Sequence, residues 1–238
     1  MELPPPRTPT RSGTEGTLAY DLWLPESAPP WPGVVVIHGA GSRKENHADF
    51  SRLASASGWA ALAYDQRGHG ASGGEVSPGV IADCGRMARL LGSVEGVDPS
   101  RICARGSSMG GFVAIHAAAT EPALAGAIAV CPASEALLLE GIRKGHLEMH
   151  ADEAALLPWL GEHDLREAAA LMGTKPLILL HADGDEQVPA AISRGVFERA
   201  GEPKKLVIVP GGHHRSVQHD PELQGVALRW MQRALGVG

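Results

Sequence analysis

The chain has 238 residues, with 21 Lys and Arg against 27 Asp and Glu, for a formal net charge of −6. That length fits one domain, or one domain with a small insertion, and such a chain buries on the order of 70% of the surface its unfolded form exposes, so a core needs neither disulfides nor a structural metal. Mild acidity and the lack of any Lys- or Arg-rich run argue against nucleic acid or an anionic membrane as partner, because both need a concentrated positive field.

From the N-terminus, residues 1–12 are rich in Pro and Thr and hold no apolar run of signal-peptide length, and no later stretch approaches the roughly 18 apolar residues of a membrane span, so a cytoplasmic location is expected. Leu18, Tyr20, Leu22 and Leu24 alternate with Ala19, Asp21 and Trp23, the period of a strand with one buried face. Prolines between 25 and 32 break the chain. Residues 34–37 and 60–64 read as short buried strands, with a helix over 49–58 between them. The alternation continues with a helix over 78–91, a strand over 101–105, a helix over 110–120 and a strand over 125–130. A strand over 177–181, a helix over 190–200, a strand over 205–209 and a helix over 221–235 complete it. Strands alternating with helices imply a three-layer α/β fold, a mostly parallel sheet covered on both faces. Pro4, Pro5, Pro6 and Pro9 leave little for an outer strand, so seven or eight strands are expected. Residues 135–173 interrupt the beat with apolar clusters, Pro158 and Trp159 but no strand pattern, more than one crossover helix requires; a small helical cap is expected there.

Gly106-Ser107-Ser108-Met109-Gly110 matches G-x-S-x-G between an apolar strand and an Ala- and Gly-rich helix, the setting a nucleophile elbow needs. So sharp a turn projects the Ser108 hydroxyl, and only small residues two positions either side let strand and helix approach. A serine needs a base, and the base a carboxylate to fix its tautomer. Asp183, Asp185 and Glu186 follow one later strand and His213 and His214 follow the next, giving the order Ser, acid, His. Spacing alone does not choose among these neighbours. The Met109 amide, next after the nucleophile, is the first oxyanion donor.

These motifs resemble the α/β-hydrolase superfamily from about Thr14 onward, closest to serine esterases, monoacylglycerol lipases and dienelactone-hydrolase-like proteins with serine as nucleophile. Asp185-Glu186-Gln187-Val188-Pro189 is similar to the D-x-x-V-P segment whose first residue is the triad acid, and Pro210-Gly211-Gly212-His213-His214 to the P-G-x-x-H ending, so the resemblance implies Asp185 and His214. His38-Gly39-Ala40-Gly41 looks like the H-G-A-G loop and implies Ala40 as second oxyanion donor, with His38 structural. Asp65-Gln66-Arg67-Gly68-His69-Gly70-Ala71-Ser72 is similar to a structural D-x-R-G-x-G-x-S loop. Its G-x-G-x-x-G run is not followed directly by a helix, so no dinucleotide site is expected.

The eleven histidines include no spaced ligand set, and Cys84, Cys103 and Cys131 form no Cys-x-x-Cys pair and read as small buried residues; neither metal nor cofactor is expected. Arg105 is polar where a central strand is normally apolar, and should either pair with a buried carboxylate or reach the sheet's end. The expectation is one α/β-hydrolase domain over 1–238, cleaving small-molecule carboxylic esters of small to medium acyl chain through an acyl-enzyme on Ser108. The cap's apolar residues either wall the substrate or only pack onto the sheet. Alternatives are a peptidase resembling the prolyl-oligopeptidase catalytic domain, a thioesterase or acyltransferase, or a binding protein of this fold without catalysis; homo-oligomerisation stays open.

Overall fold

A computed structural model describes residues 8–236, so Pro4 to Pro6 lie outside the described residues. The chain runs β1 (Arg11–Glu15), β2 (Leu18–Trp23), β3 (Trp31–Ile37), α1 (Ala48–Ala56), β4 (Ala60–Tyr64), α2 (Val80–Gly92), β5 (Val97–Ser107), α3 (Met109–Thr120) and β6 (Gly126–Val130). Then follow α4 (Glu135–Arg143), α5 (Glu153–Glu162), α6 (Leu165–Leu171), β7 (Leu177–Ala182), α7 (Ala191–Arg199), β8 (Lys204–Val209) and α8 (Pro221–Ala234).

Eight strands among the described residues form one sheet in the order β1-β2-β4-β3-β5-β6-β7-β8, parallel from β4 to β8 and antiparallel only where β2 meets β1 and β4. One core lies on the face covered by α2, α3 and α7, around Met87, Leu91, Phe112 and Val196; the other lies under α1 and α8, around Phe50, Trp59, Leu228 and Met231. Helices on both faces explain why β4 and β7 are buried throughout. They also correct the reading of β2: all six of its residues are buried, not one face of them.

The apolar runs are short, so turns and caps set the boundaries. Asp220 accepts hydrogen bonds from the amides of Glu222 and Leu223, with Pro221 just inside α8. Ser134, Asp152 and Asp164 cap α4, α5 and α6 in the same way, each contributing about 1 kcal/mol to a helix too short to persist alone. These three helices occupy the interval between β6 and β7, with α6 packed on α3 and α7.

From β3 the chain crosses to β4 on one side and, after α2, to β5 on the other. Ile37 pairs with Gly106, Gly106 with Ala129 and Ser107 with Val130, so the ends of the three central strands form one rim. A reversal of strand order opens a crevice at such a rim.

Candidate active site

β5 turns into α3 at Ser108, whose backbone lies in the left-handed region with φ 54. The turn is closed by contact that only glycine permits: a Cβ on Gly106 would lie 1.8 Å from the Gly110 carbonyl oxygen, and one on Gly110 would lie 2.3 Å from that of Ile37. Hydrogen bonds from the Ser108 amide to the Val130 carbonyl and from the Ala133 amide to the Ser108 carbonyl pin the turn to the end of β6. A strained residue held from both sides is pre-organised rather than loose.

Of the neighbouring acids and histidines, the structure brings together Asp185 and His214. His214 Nδ1 donates to Asp185 Oδ2 at 2.7 Å, both residues being buried. A neutral ring that donates from Nδ1 leaves Nε2 as an acceptor. Asp185 Oδ1 accepts from the amides of Gln187 and Val188 at 2.9 and 2.8 Å. Burial works against ionisation of Asp185, but the Val188 amide and His214 together draw its pKa below the usual range. His213 is exposed, its ring accepting from the Arg215 amide, and Asp183 is an exposed carboxylate 3.6 Å from Arg194. Glu186 is exposed too, yet its Oε2 accepts from the His214 amide at 3.2 Å and so braces the loop.

Ser108, His214 and Ala40 border one cavity of about 330 Å³. The loop carrying Ala40 passes close over the nucleophile: a Cβ on Gly39 would lie 3.3 Å from Ser108 Cβ. His38 locks that loop, donating from Nδ1 to the Gly39 carbonyl at 2.7 Å and accepting at Nε2 from the Gln66 amide at 3.0 Å. Burial pushes its pKa down to about 4, so the ring is neutral and structural. The Met109 amide opens α3, where helix amides lack intrahelical partners.

Around this geometry lies support that sequence reasoning missed. Among the described residues Arg105 pairs with no carboxylate directly, and it is fully buried. Its Nη1 donates to His47 Nδ1 and its Nη2 to the Gln218 carbonyl, both at 3.0 Å, and its guanidinium lies 4.8 Å from the Phe50 ring centre. Gln218 in turn donates to the His214 carbonyl at 3.1 Å, which ties Arg105 to the histidine loop. Burial lowers the Arg105 pKa to about 10, leaving it charged at neutral pH. A strap over 146–152 also borders the cavity. It is fixed by hydrogen bonds from the Val76 amide to the His150 carbonyl and from the Asp152 amide to the Val76 carbonyl. The sequence marks Arg105 as out of place in a central strand, but no local pattern announces its partners or the strap, because every partner is remote in sequence.

Cys131, His181 and Asp185 place one potential ligand atom each within 4.8 Å of one another. The donor set does not suit a metal. His181 Nε2 gives its proton to the Val188 carbonyl and Nδ1 pairs with Ser193 Oγ, while burial pushes the Cys131 thiol up to about 12. The D-x-R-G-x-G loop is held from within and from its neighbours: Asp65 accepts from the amides of Ala71 in the loop and Lys44 outside it, and Arg67 forms a two-pronged pair with Asp83 of α2.

Fold and site define an α/β hydrolase. Residues 28–164 match the Hydrolase_4 family (Serine aminopeptidase, S33), and the chain belongs to that family. An uncharacterized protein of Mycobacterium tuberculosis is 30% identical over 81% of the chain, which spans 64% of that relative's length. A monoacylglycerol lipase of Mycolicibacterium smegmatis is 28% identical over 86% of the chain and 88% of its own. Among solved structures, Est1E from Butyrivibrio proteoclasticus with bound ferulic acid superposes with a TM-score of 0.75 at 24% identity, over 92% of this chain and 96% of that one. The Paleococcus ferrophilus monoacylglycerol lipase gives 0.72 at 19% identity, over 91% and 99%. No helix among the described residues is long and apolar enough to cross a membrane.

Proposed function

We propose that the chain is a serine carboxylic-ester hydrolase of small-molecule esters, built as a single domain in which α4 to α6 form a small cap. The observation that carries this reading is the shared cavity. Ser108 on its left-handed turn, His214 held by Asp185, and the Ala40 loop all border it. His214 Nε2 takes the proton as Ser108 Oγ bonds to the acyl carbon, and the amides of Ala40 and Met109 receive the charge that develops on the carbonyl oxygen. His214 then gives that proton to the alcohol oxygen as its bond to the acyl carbon breaks. Water, deprotonated by the same nitrogen, hydrolyses the acyl-enzyme and restores Ser108.

A p-nitrophenyl ester series on the wild type and Ser108→Ala tests the reading, with a peptide p-nitroanilide for the aminopeptidase chemistry in the family's description. Ester turnover that falls by about a thousandfold or more in Ser108→Ala supports it. Turnover near wild type in that variant removes the nucleophile assignment, and anilide cleavage without ester cleavage makes the chain a peptidase. His214→Ala should cost far more activity than His213→Ala, and the reverse ranking would move the base by one residue.

A further inference from the structure

Ser108 borders a polar cavity that adjoins a second polar groove, and an apolar slot lies beside Met109, the next residue along the chain. The cavity on the His214 side is walled by groups that hydrogen-bond, Gln187, Arg215, Gln218 and His219 among them. Past Gly41, Ser42, Asn46 and Glu148, which border both, lies a groove of about 750 Å³ between the 68–74 loop and the strap. Its sides carry Arg43, His69, Ser72 and His150, and Gly68, Gly70 and Gly74 leave bare backbone between them. Glu148 stands at the junction with its carboxylate exposed. A Cβ on Gly41 would lie 3.1 Å from Glu148 Cβ, and among the described residues no hydrogen-bond or ion-pair partner engages that carboxylate. By contrast, the apolar slot bounded by Met109, Phe112, Leu138, Leu156 and Trp159 measures about 20 Å³, room for little more than one water.

The chemistry of the proposed reaction orients a substrate in these spaces. His214 must reach the leaving oxygen, so the alcohol lies on the polar side. The acyl group leaves the same carbon by another bond, and the apolar space beside Met109 is almost filled. A long acyl chain laid in the polar groove would strip water from Arg43, His69 and Glu148 and return no hydrogen bonds, which is costly.

We propose, resting on the esterase reading, that the site selects short-acyl esters of hydroxyl-rich alcohols, and that Glu148 determines specificity by accepting a hydroxyl of the alcohol part. The alcohol could be a glycerol or a sugar; both present the same neighbouring hydroxyls.

The test uses the full chain and titrates released acid. It compares glycerol monoacetate, an acetylated methyl glucoside and hexyl acetate for the alcohol, and p-nitrophenyl acetate against octanoate for the acyl group. The expected result is a kcat/KM for at least one polyol acetate about tenfold or more above that for hexyl acetate, with acetate preferred to octanoate. The better of the two polyol esters then names the source. Glu148→Ala should lower the polyol-to-hexyl ratio, and Trp159→Ala, which opens the apolar slot, should raise octanoate turnover relative to acetate. Octanoate matching acetate in the wild type, or hexyl acetate matching both polyol esters, overturns this proposal and leaves the esterase reading intact. No Ser108-dependent turnover of any of the five overturns the esterase reading and this proposal with it.

Discussion

Arg105 sits in the central strand three positions before Ser108, with no exposed surface and, among the described residues, no partner for its Nε. A buried cation lacking a directly bonded carboxylate is an expensive way to stabilise a fold, and apolar replacements of such groups are often neutral or stabilising. What Arg105 holds is the Gln218 carbonyl, and through Gln218 the backbone of His214. Arg105→Met should therefore leave the urea midpoint equal or higher while lowering kcat on a small ester by about tenfold, with KM changed little. A parallel loss of stability and KM would mean that Arg105 is only a packing residue. The sequence marked Arg105 as a polar residue in a central strand, but its partners were not legible, because His47 and Gln218 lie 58 and 113 residues from it along the chain.

At the scale of elements, the turn from β5 to α3 shows why some of the molecule can be read and some cannot. Gly106 and Gly110 face backbone oxygens at 1.8 and 2.3 Å from where a Cβ would stand, and backbone cannot move aside. Gly106→Ala and Gly110→Ala should each cost more than about 3 kcal/mol in urea unfolding, since the overlap far exceeds ordinary overpacking. Gly145, with φ 63 and nothing within 4 Å, is the control: Gly145→Ala should cost only the about 1–2 kcal/mol of left-handed backbone. Equal losses at all three would show that close approach is not what fixes the turn. Steric demands this local leave a five-residue pattern, which is why the elbow stood out. The buried β3, β4 and β7 were readable for a similar reason, each holding an unbroken apolar run, residues 34–37, 60–64 and 177–180. β1 was not, since its RSGTE is polar and no residue in it is buried, and it becomes a strand only by pairing with β2. The pairing of His214 rather than His213 with Asp185 depends on how the loop after β8 turns through two left-handed glycines, Gly211 and Gly212, and spacing alone did not contain it.

For the whole molecule, the buried histidines govern how stability changes with acidity. Burial lowers His38 and His116 from 6.5 to about 4, and lowers His47 well below 6.5, with Arg105 adding to the effect. A histidine that stays neutral when folded and ionises when unfolded contributes nothing above pH 6.5, where neither state binds the proton. Below it the unfolded chain takes up protons that the folded chain refuses, so stability falls as pH drops from 6.5 toward 4. At pH 5 the loss is about 2 kcal/mol for each of His38 and His116. Asp185 acts in a different window: its folded pKa lies below the usual 3.8, so its stabilisation is complete above that value and is lost only at lower pH. His116 isolates the cause. Its Nε2 has no hydrogen-bond partner among the described residues, and it packs against Phe112 and Trp159 in an aromatic cluster that a phenyl ring can fill. His116→Phe should match or slightly exceed wild-type stability at pH 7 and recover about 2 kcal/mol of the acid loss at pH 5, seen as a smaller shift in urea midpoint between the two pH values. An unchanged shift would mean that His116 takes up its proton in the folded state, and the acid sensitivity would then fall to His38 and His47.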